Sequence, residues 1–139
     1  MPGETDLATL LRAMCPELQP GEFVFCTAAD PSAVRDPICA FREREGVTLI
    51  CRRSDAEAQG VSFTFACRMI TLNVHSSLEA VGFLAAISTA LANRGIAVNV
   101  VSAFHHDHLF VASAQVDAAM AVLREFGQAG GAPAVIIEE

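Results

Sequence analysis

The order of strand and helix patterns in the second half of the chain is the strongest constraint on its fold. The β-branched run MITLNV (69–74) predicts a strand, and a helical stripe follows it. IAVNVVSAF (96–104) and HLFVAS (108–113) then predict two strands. QVDAAMAVLREFG (115–127) has apolar residues at helical spacing, and AVII (134–137) predicts a last strand. This β-α-β-β-α-β order is that of a ferredoxin-like unit, which is built on an antiparallel sheet.

The first helix of this unit has a recognisable start and end in the sequence. Ser76 and Glu79 have the S-x-x-E spacing of a capping box, in which the two side chains satisfy backbone N–H groups at the helix start. We therefore expect the helix to begin near Ser77. Apolar residues then follow one helical face, and Gly95 is a typical residue to end the helix.

The first half contains the same kinds of element in a less regular arrangement. Its patterns predict a short helix over residues 6–14, strands over 22–28, 37–43, 48–53 and 62–68, and a short helix over 54–60. No Ser/Gly-rich linker separates the two halves. We therefore predict an α+β protein with two ferredoxin-like (βαββαβ) modules with antiparallel sheets, a degenerate one over 1–65 and a well-formed one over 66–139.

The charge of the chain excludes several classes of partner. Nine arginines and no lysine stand against sixteen acidic residues, which gives a net charge of -7. A nucleic-acid-binding protein needs a basic stripe, and an anionic membrane would repel this chain. The N-terminal MPGETDL lacks the features of a signal peptide, and AVGFLAAISTALA is too short to span a bilayer. We expect a cytoplasmic protein that binds neither nucleic acid nor membrane.

The number and spacing of the cysteines argue against a zinc ribbon and against a disulfide framework. The chain has five of them, an odd number, and no two have C-x-x-C spacing. Their neighbours are mostly apolar, so we expect buried, reduced thiols. Cys51, beside Arg52 and Arg53, is the one candidate for a reactive thiol, because a cationic neighbour favours the thiolate.

The stretch AFHHDHLFV (103–111) is the part of the sequence richest in reactive side chains. In the predicted unit, the loop after the first strand and the hairpin between the next two lie at the same end of the sheet. His75 and the HHDH residues 105–108 would therefore gather there. Imidazole and carboxylate groups can bind a divalent metal, but strand alternation directs them to opposite faces and no H-x-x-x-H pattern is present. The stretch is a hairpin rim, a ligand or partner contact, or a metal site.

A hydrolase is the remaining alternative. His105 and Asp107 could act as base and orienting group, with Ser102 as nucleophile. The chain has no G-x-S-x-G elbow and no phosphate-binding loop. We therefore expect no catalytic residue, no cofactor and no bound metal.

Residues 66–137 resemble an ACT domain. The features that carry the resemblance are a strand, Glu79 shortly before Gly82, a helix of the form L-x-x-I-x-x-x-L (84–91), and the run Gly-Ile-Ala-Val-Asn (95–99). The first half matches in outline. The chain is similar to small stand-alone bacterial proteins with two tandem modules of the aspartokinase regulatory type. Many ACT domains have Asp-x-Pro-Gly where this chain has Glu-Ala-Val-Gly (79–82).

The resemblance implies a non-enzymatic regulatory protein that binds a small molecule, most often an amino acid, between two modules or two subunits. It also implies a homo-oligomer, here a homodimer. Carried over by position, the ligand-binding residues are His75, Ser76, Ser77, Leu78, Glu79, Ala80, Val81 and Gly82 of the loop, and Asn99 of the following strand.

Elementary chemistry agrees with this assignment. Free N–H groups at a helix start, with the helix dipole behind them, suit a carboxylate. Gly82 has no side chain, so a ligand or a second backbone can come close to it. Asn99 offers a hydrogen-bond donor and an acceptor, which suits an α-amino acid from the same or a neighbouring module.

Overall fold

The computed structural model describes residues 3–128, and the predicted strand AVII lies outside them. The helices are α1 (Leu7–Ala13), α2 (Arg53–Ala58), α3 (Phe83–Ala92) and α4 (Val116–Gln128). The strands are β1 (Cys15–Leu18), β2 (Phe23–Ala28), β3 (Cys39–Glu43), β4 (Gly46–Arg52), β5 (Thr64–Asn73), β6 (Asn99–Ser102) and β7 (Asp107–Ala112). None of these helices combines the length and the apolar character needed to cross a membrane within residues 3–128.

Packing divides the described chain into two compact units. The larger unit contains residues 3–19 and 69–128, and the smaller one contains residues 20–68. In sequence, the smaller unit is therefore an insertion between β1 and the second half of β5. The module boundary between residues 65 and 66 stays a prediction.

The larger unit has a sheet with the strand order β1-β5-β7-β6. β1 pairs antiparallel with β5, and β6 pairs antiparallel with β7. The sequence patterns missed β1, because it has only four residues and Pro16 is one of them. Its place shows that an N-terminal strand covers the edge of β5 in the described chain.

The core of the larger unit lies between this sheet and its helices. α1, α3 and α4 contribute buried side chains, among them Leu11, Ile87 and Leu123, to one cluster. Leu109 and Val111 of β7 belong to the same cluster, whereas Phe110 between them does not. Successive strand residues point to opposite faces. Asp107, two residues before Leu109, therefore lies on the face that the helices cover.

The smaller unit has the strand order β3-β4-β2-β5, with antiparallel pairing of β4 to both β2 and β3. A 3-10 turn at Pro31–Ala33 follows β2, where a regular unit has its first helix. Only α2 is a regular helix here. The predicted antiparallel α+β architecture with a degenerate first module is confirmed.

The burial pattern predicts unequal costs for two leucine truncations. Leu123 is 0% exposed, so Leu123→Ala leaves a cavity and we expect it to lower the free energy of unfolding by about 2–5 kcal/mol. Leu78 is 68% exposed, and Leu78→Ala is expected to cost less than about 0.5 kcal/mol. Urea unfolding followed by circular dichroism measures both. Equal losses in the two variants would contradict this assignment of the core.

Candidate functional site

The loop between β5 and α3 delays the start of the helix. Gly82 is the N-cap, with φ 93° and ψ -9° in the left-handed region, and Phe83 is the first helical residue. The Ser77 hydroxyl accepts a hydrogen bond from the Glu79 N–H at 3.0 Å, and the Ser77 carbonyl accepts one from the Ala80 N–H at 3.0 Å. Ser77 therefore forms a turn, and the predicted helix start near it is wrong.

The predicted capping box is also wrong, because its serine has another partner. The Ser76 hydroxyl donates to Asp107 Oδ2 at 3.2 Å, across the end of the sheet. The His75 and His105 rings lie 5.6 Å apart, centroid to centroid. These contacts confirm that the loop after β5 and the β6–β7 hairpin meet at the same end of the unit.

The segment before α1 holds this loop in place. The Glu4 N–H donates to the His75 carbonyl at 2.8 Å, and the Ser77 N–H donates to the Glu4 carbonyl at 2.9 Å. A Cβ atom on Gly3 would lie 2.5 Å from the His75 carbonyl oxygen, so the backbones are too close for any side chain there. Nothing in the local pattern of residues 3–6 indicated this contact.

A small pocket of about 160 Å³ opens between the loop, the first turn of α3 and the end of β6. Its polar lining comes from Ser76, Ser77, Ser102 and Asp107. The first turn of α3, Phe83 to Ala85, also lines it, and no side chain of residues 3–128 caps that helix end. The first N–H groups of a helix have no partner within the helix. The lining of the pocket therefore includes the start of a helix and one buried carboxylate.

Most of the predicted loop residues lie around this pocket. A shallower pocket of about 150 Å³ adjoins it, between the loop, Gly3 and Phe104. Ser76, Ser77, Leu78, Ala80 and Gly82 line the first pocket, and His75 and Glu79 line the second. Val81 lies outside both and is 84% exposed. The ligand-binding role of these residues stays a prediction.

The structure does not bring Asn99 to this pocket. In the β6–β7 register Asn99 pairs with Phe110, and Ser102 pairs with Asp107. Directly paired residues share a face of a sheet, so Asn99 lies on the face away from the helices. Ser102 is the β6 residue that lines the pocket. A ligand contact by Asn99 can thus come only from a neighbouring module, and it stays a prediction in that form.

Gly82 is required by the backbone rather than by close approach of a ligand. Its φ of 93° lies in the left-handed region, where a side chain is strained. A Cβ atom there would be 3.4 Å from Leu7 Cδ2, which is near ordinary contact. Gly82 therefore has a conformational role, and the approach of a ligand to it stays a prediction.

His75 and the HHDH residues 105–108 form neither a metal-binding cluster nor a catalytic pair of base and orienting carboxylate. Within residues 3–128 no group of three or more His, Cys, Asp or Glu side chains is arranged to hold a metal ion. His105 is exposed and lies against Phe104, with ring centroids 5.0 Å apart, and Asp107 accepts from Ser76 instead. The metal-binding and hydrolase alternatives gain no support from this geometry.

The candidate reactive thiol is buried. Cys26, Cys51 and Cys67 are buried, and all five cysteines are free. Burial, assisted by the neighbouring Cys26 thiol, raises the pKa of Cys51 to about 12. The adjacent arginines therefore do not make it a thiolate, and Cys51 is one of the buried thiols that the sequence led us to expect.

His108 is the histidine with the most defined surroundings. Its Nδ1 hydrogen-bonds Thr71 Oγ1 at 3.0 Å, and Gln19 Nε2 donates to the same hydroxyl at 3.0 Å. Burial lowers the pKa of His108 below its usual 6.5, and the nearby His106 lowers it further. Asp107 acts in the opposite direction. His108 is thus held more easily as the neutral imidazole in the folded protein.

The role of Asp107 was missed from the sequence, although a signal was present. The sequence offered Asp107 as part of a hairpin rim or as an orienting group, but it is the first residue of β7 and only 7% exposed. Asp107, Leu109 and Val111 alternate along the strand, which places the aspartate on the apolar face. A carboxylate at that position is the feature that marks this site.

Comparison with known proteins agrees with the resemblance seen in the sequence. Two family models, each describing an ACT domain, match residues 2–68 and 64–125. No curated protein matches the chain. The predicted resemblance to tandem ACT modules is therefore confirmed for both halves.

Solved structures show the same fold. A Vibrio cholerae protein of unknown function, called a possible transport protein, is 42% identical with a TM-score of 0.79 over 88% of this chain and 96% of that one. A protein from Agrobacterium tumefaciens is 18% identical with a TM-score of 0.67 over 82% and 89% of the two chains. The ligand-free regulatory subunit of aspartate kinase from Thermus thermophilus is 9% identical, with a TM-score of 0.55 over 79% and 95%. The last two likenesses show the fold alone.

The lowered pKa of His108 predicts an acid-sensitive fold. The unfolded chain takes up the proton more readily, so the stabilisation by neutral His108 is complete above the unfolded pKa of about 6.5 and is lost as pH falls through the lower folded value. We expect the free energy of unfolding to decrease from about pH 7.5 to pH 5 less steeply in His108→Gln than in the wild type. Urea titrations at several pH values measure these slopes. The exposed His105→Gln serves as the control, and an unchanged slope in His108→Gln would contradict the assignment.

Proposed function

Because the chain belongs to the ACT domain family, we propose that it is a non-enzymatic regulatory protein whose effector is a small carboxylate-bearing metabolite, an amino acid. The effector binds in the pocket between the β5–α3 loop, residues 75–82, and the end of β6. Its carboxylate lies at the N-terminus of α3. Binding would change the conformation or assembly that a partner protein recognises.

The observation that carries this proposal is the uncapped start of α3 inside a pocket. In the part of the chain that the structure describes, no side chain caps this helix end, and its first turn has no acidic residue. The N-terminus of a helix carries about half a positive charge together with unpaired N–H groups. Such a place binds a carboxylate without further charged residues. The pocket at Phe83 to Ala85 supplies both features.

The size of the pocket favours a small effector. Its volume is about 160 Å³, whereas sites for drug-sized ligands usually have about 300–1,000 Å³. An amino acid with a short side chain is of suitable size, and a nucleotide is not. Leu78, Ala80 and Leu84 provide apolar lining for such a side chain.

We also propose a cytoplasmic location. All five cysteines are free, and three of them are buried. Thiols persist in the reducing cytoplasm, where amino-acid pools are also regulated. The net charge of -7 argues against binding to nucleic acid or to an anionic membrane surface.

The exposed apolar side chains around the pocket predict a homodimer. Leu78, Val81 and Phe104 are 68%, 84% and 62% exposed, and β6 beside them is the last strand in the described order of its sheet. An apolar rim beside an open strand edge is a suitable surface for a second copy. Sedimentation equilibrium should give twice the chain mass, and Phe104→Glu should shift it toward the monomer. A mass equal to one chain at all concentrations would reject the dimer.

Asn99 then provides a test of whether the partner completes the site. If Asn99 contacts the effector bound to the neighbouring copy, Asn99→Ala should lower the affinity for the effector by about 0.5–1.5 kcal/mol. Unchanged affinity in this variant limits the site to residues of one chain.

A charge placed at the first turn of α3 tests the site directly. Ala85 is exposed there and lines the pocket. Ala85→Asp adds a negative charge that stabilises the helix start by about 0.3–1 kcal/mol. The same charge repels a carboxylate, so we expect affinity to fall at least about tenfold, roughly 1.4 kcal/mol. A thermal-shift screen of the common amino acids identifies a binder, and calorimetry then measures its affinity for each variant.

The neutral variant Ala85→Asn is the matched control, since it has nearly the same shape as Ala85→Asp and no charge. It should retain most of the affinity. A gain of stability with a loss of affinity in Ala85→Asp separates binding from folding. A substitution at Gly82 cannot do this, because any side chain is strained at its φ of 93°. Equal affinity in the aspartate and asparagine variants would reject the helix start as the carboxylate site.

A further inference from the structure

We infer that Asp107 determines the specificity of this pocket by binding the ammonium group of the effector, so that the pocket accepts zwitterions and rejects plain carboxylates. The inference rests on the proposed function. It assigns a specific role to a residue that the resemblance did not include among the ligand-binding residues and that the sequence pattern offered only as one member of the HHDH stretch.

The first step is the position of the carboxylate. Asp107 is only 7% exposed, and it shares its face of β7 with Leu109 and Val111, both 0% exposed. Its side chain lines the pocket. Ionised carboxylates are rarely buried at such positions unless they are paired, because they lose the solvation of water. A counter-charge is therefore expected on the pocket side.

The second step is that the chain supplies little of this compensation. The Ser76 hydroxyl donates the one hydrogen bond that reaches the Asp107 carboxylate within residues 3–128, at 3.2 Å. A carboxylate can accept about four hydrogen bonds. The ion pairs of Arg53 and Arg94 are made with glutamates and do not involve Asp107. Capacity for a donor thus remains at Asp107.

The third step concerns the start of α3, which lines the same pocket. The α3 N-terminus favours an anion, and Asp107 favours a cation. A ligand with only a carboxylate gains the first contact but brings its charge close to Asp107. An α-amino acid carries an ammonium and a carboxylate on one carbon atom and satisfies both. The Ser102 hydroxyl, paired with Asp107 in the register, offers a further acceptor for the ammonium.

The test compares matched ligands on the wild-type protein. Each common L-amino acid is titrated beside its 2-hydroxy acid, for example L-alanine beside L-lactate, because the pair differs in the ammonium group alone. We expect at least one amino acid to bind and its hydroxy acid to bind at least 100-fold more weakly. Equal binding of the two would overturn the role of Asp107 and leave the carboxylate site intact. Binding by no member of either series would overturn the proposed function as well.

A variant then assigns the selectivity to the residue. Asp107→Asn keeps the shape and an acceptor for Ser76 but removes the charge. We expect its affinity for the amino acid to fall at least tenfold and its affinity for the hydroxy acid to stay the same or rise. Asp117→Asn, at an exposed aspartate in the first turn of α4, is the control and should preserve the selectivity. Selectivity retained in a folded Asp107→Asn would overturn the inference, and if that variant does not fold, the wild-type ligand pairs decide.

Discussion

The hydrogen bond from the Ser76 hydroxyl to the Asp107 carboxylate joins the two parts of the chain on which the pocket depends. One is the loop after β5 and the other is the start of β7, and 31 positions of sequence separate the bonded residues. The backbone of Glu4 holds the same loop from its other side. These contacts fix residues 75–77 away from a helical path, so the helix begins only at Phe83. The loop in between lines the pocket beside the helix start.

The late start of α3 explains why its N–H groups are free for a ligand. A helix that began near Ser77 would have had its first N–H groups capped by Ser76 and Glu79. Instead, Ser76 bonds Asp107, and Gly82 reverses the backbone at a φ that other residues rarely adopt. The Ser76 hydroxyl is thus engaged by Asp107 and the Ser77 hydroxyl by the Glu79 N–H, and no side chain within residues 3–128 caps the helix end, which lines the pocket.

Sequence periodicity predicted the elements whose structure is set locally and by burial. QVDAAMAVLREFG formed α4 close to its expected bounds, because its apolar residues repeat with the helical period. The strands predicted over 62–68 and 69–74 instead form one continuous strand, β5. β1 was not predicted because it is short and contains Pro16, and because it depends on pairing with β5. The predicted start of α3 was wrong for a related reason. Ser76 bonds Asp107 instead of capping the helix, and Asp107 is distant from it in sequence. The sheet face on which Asn99 lies likewise could not be predicted from alternation within one strand, because it follows from the register between β6 and β7.

Asp107 shows how a residue that breaks a local rule can indicate function. Its alternation with Leu109 and Val111 would suit a leucine or valine, and burial of a carboxylate there costs stability unless a partner compensates it. Protein sequences tend to depart from such patterns at functional or strained sites. Strain does not explain this one, since β7 is a regular strand whose residues keep continuous register with β6. The carboxylate also lines the same pocket as the start of α3, which attracts an anion, so a molecule that carries both signs of charge can satisfy the two at once.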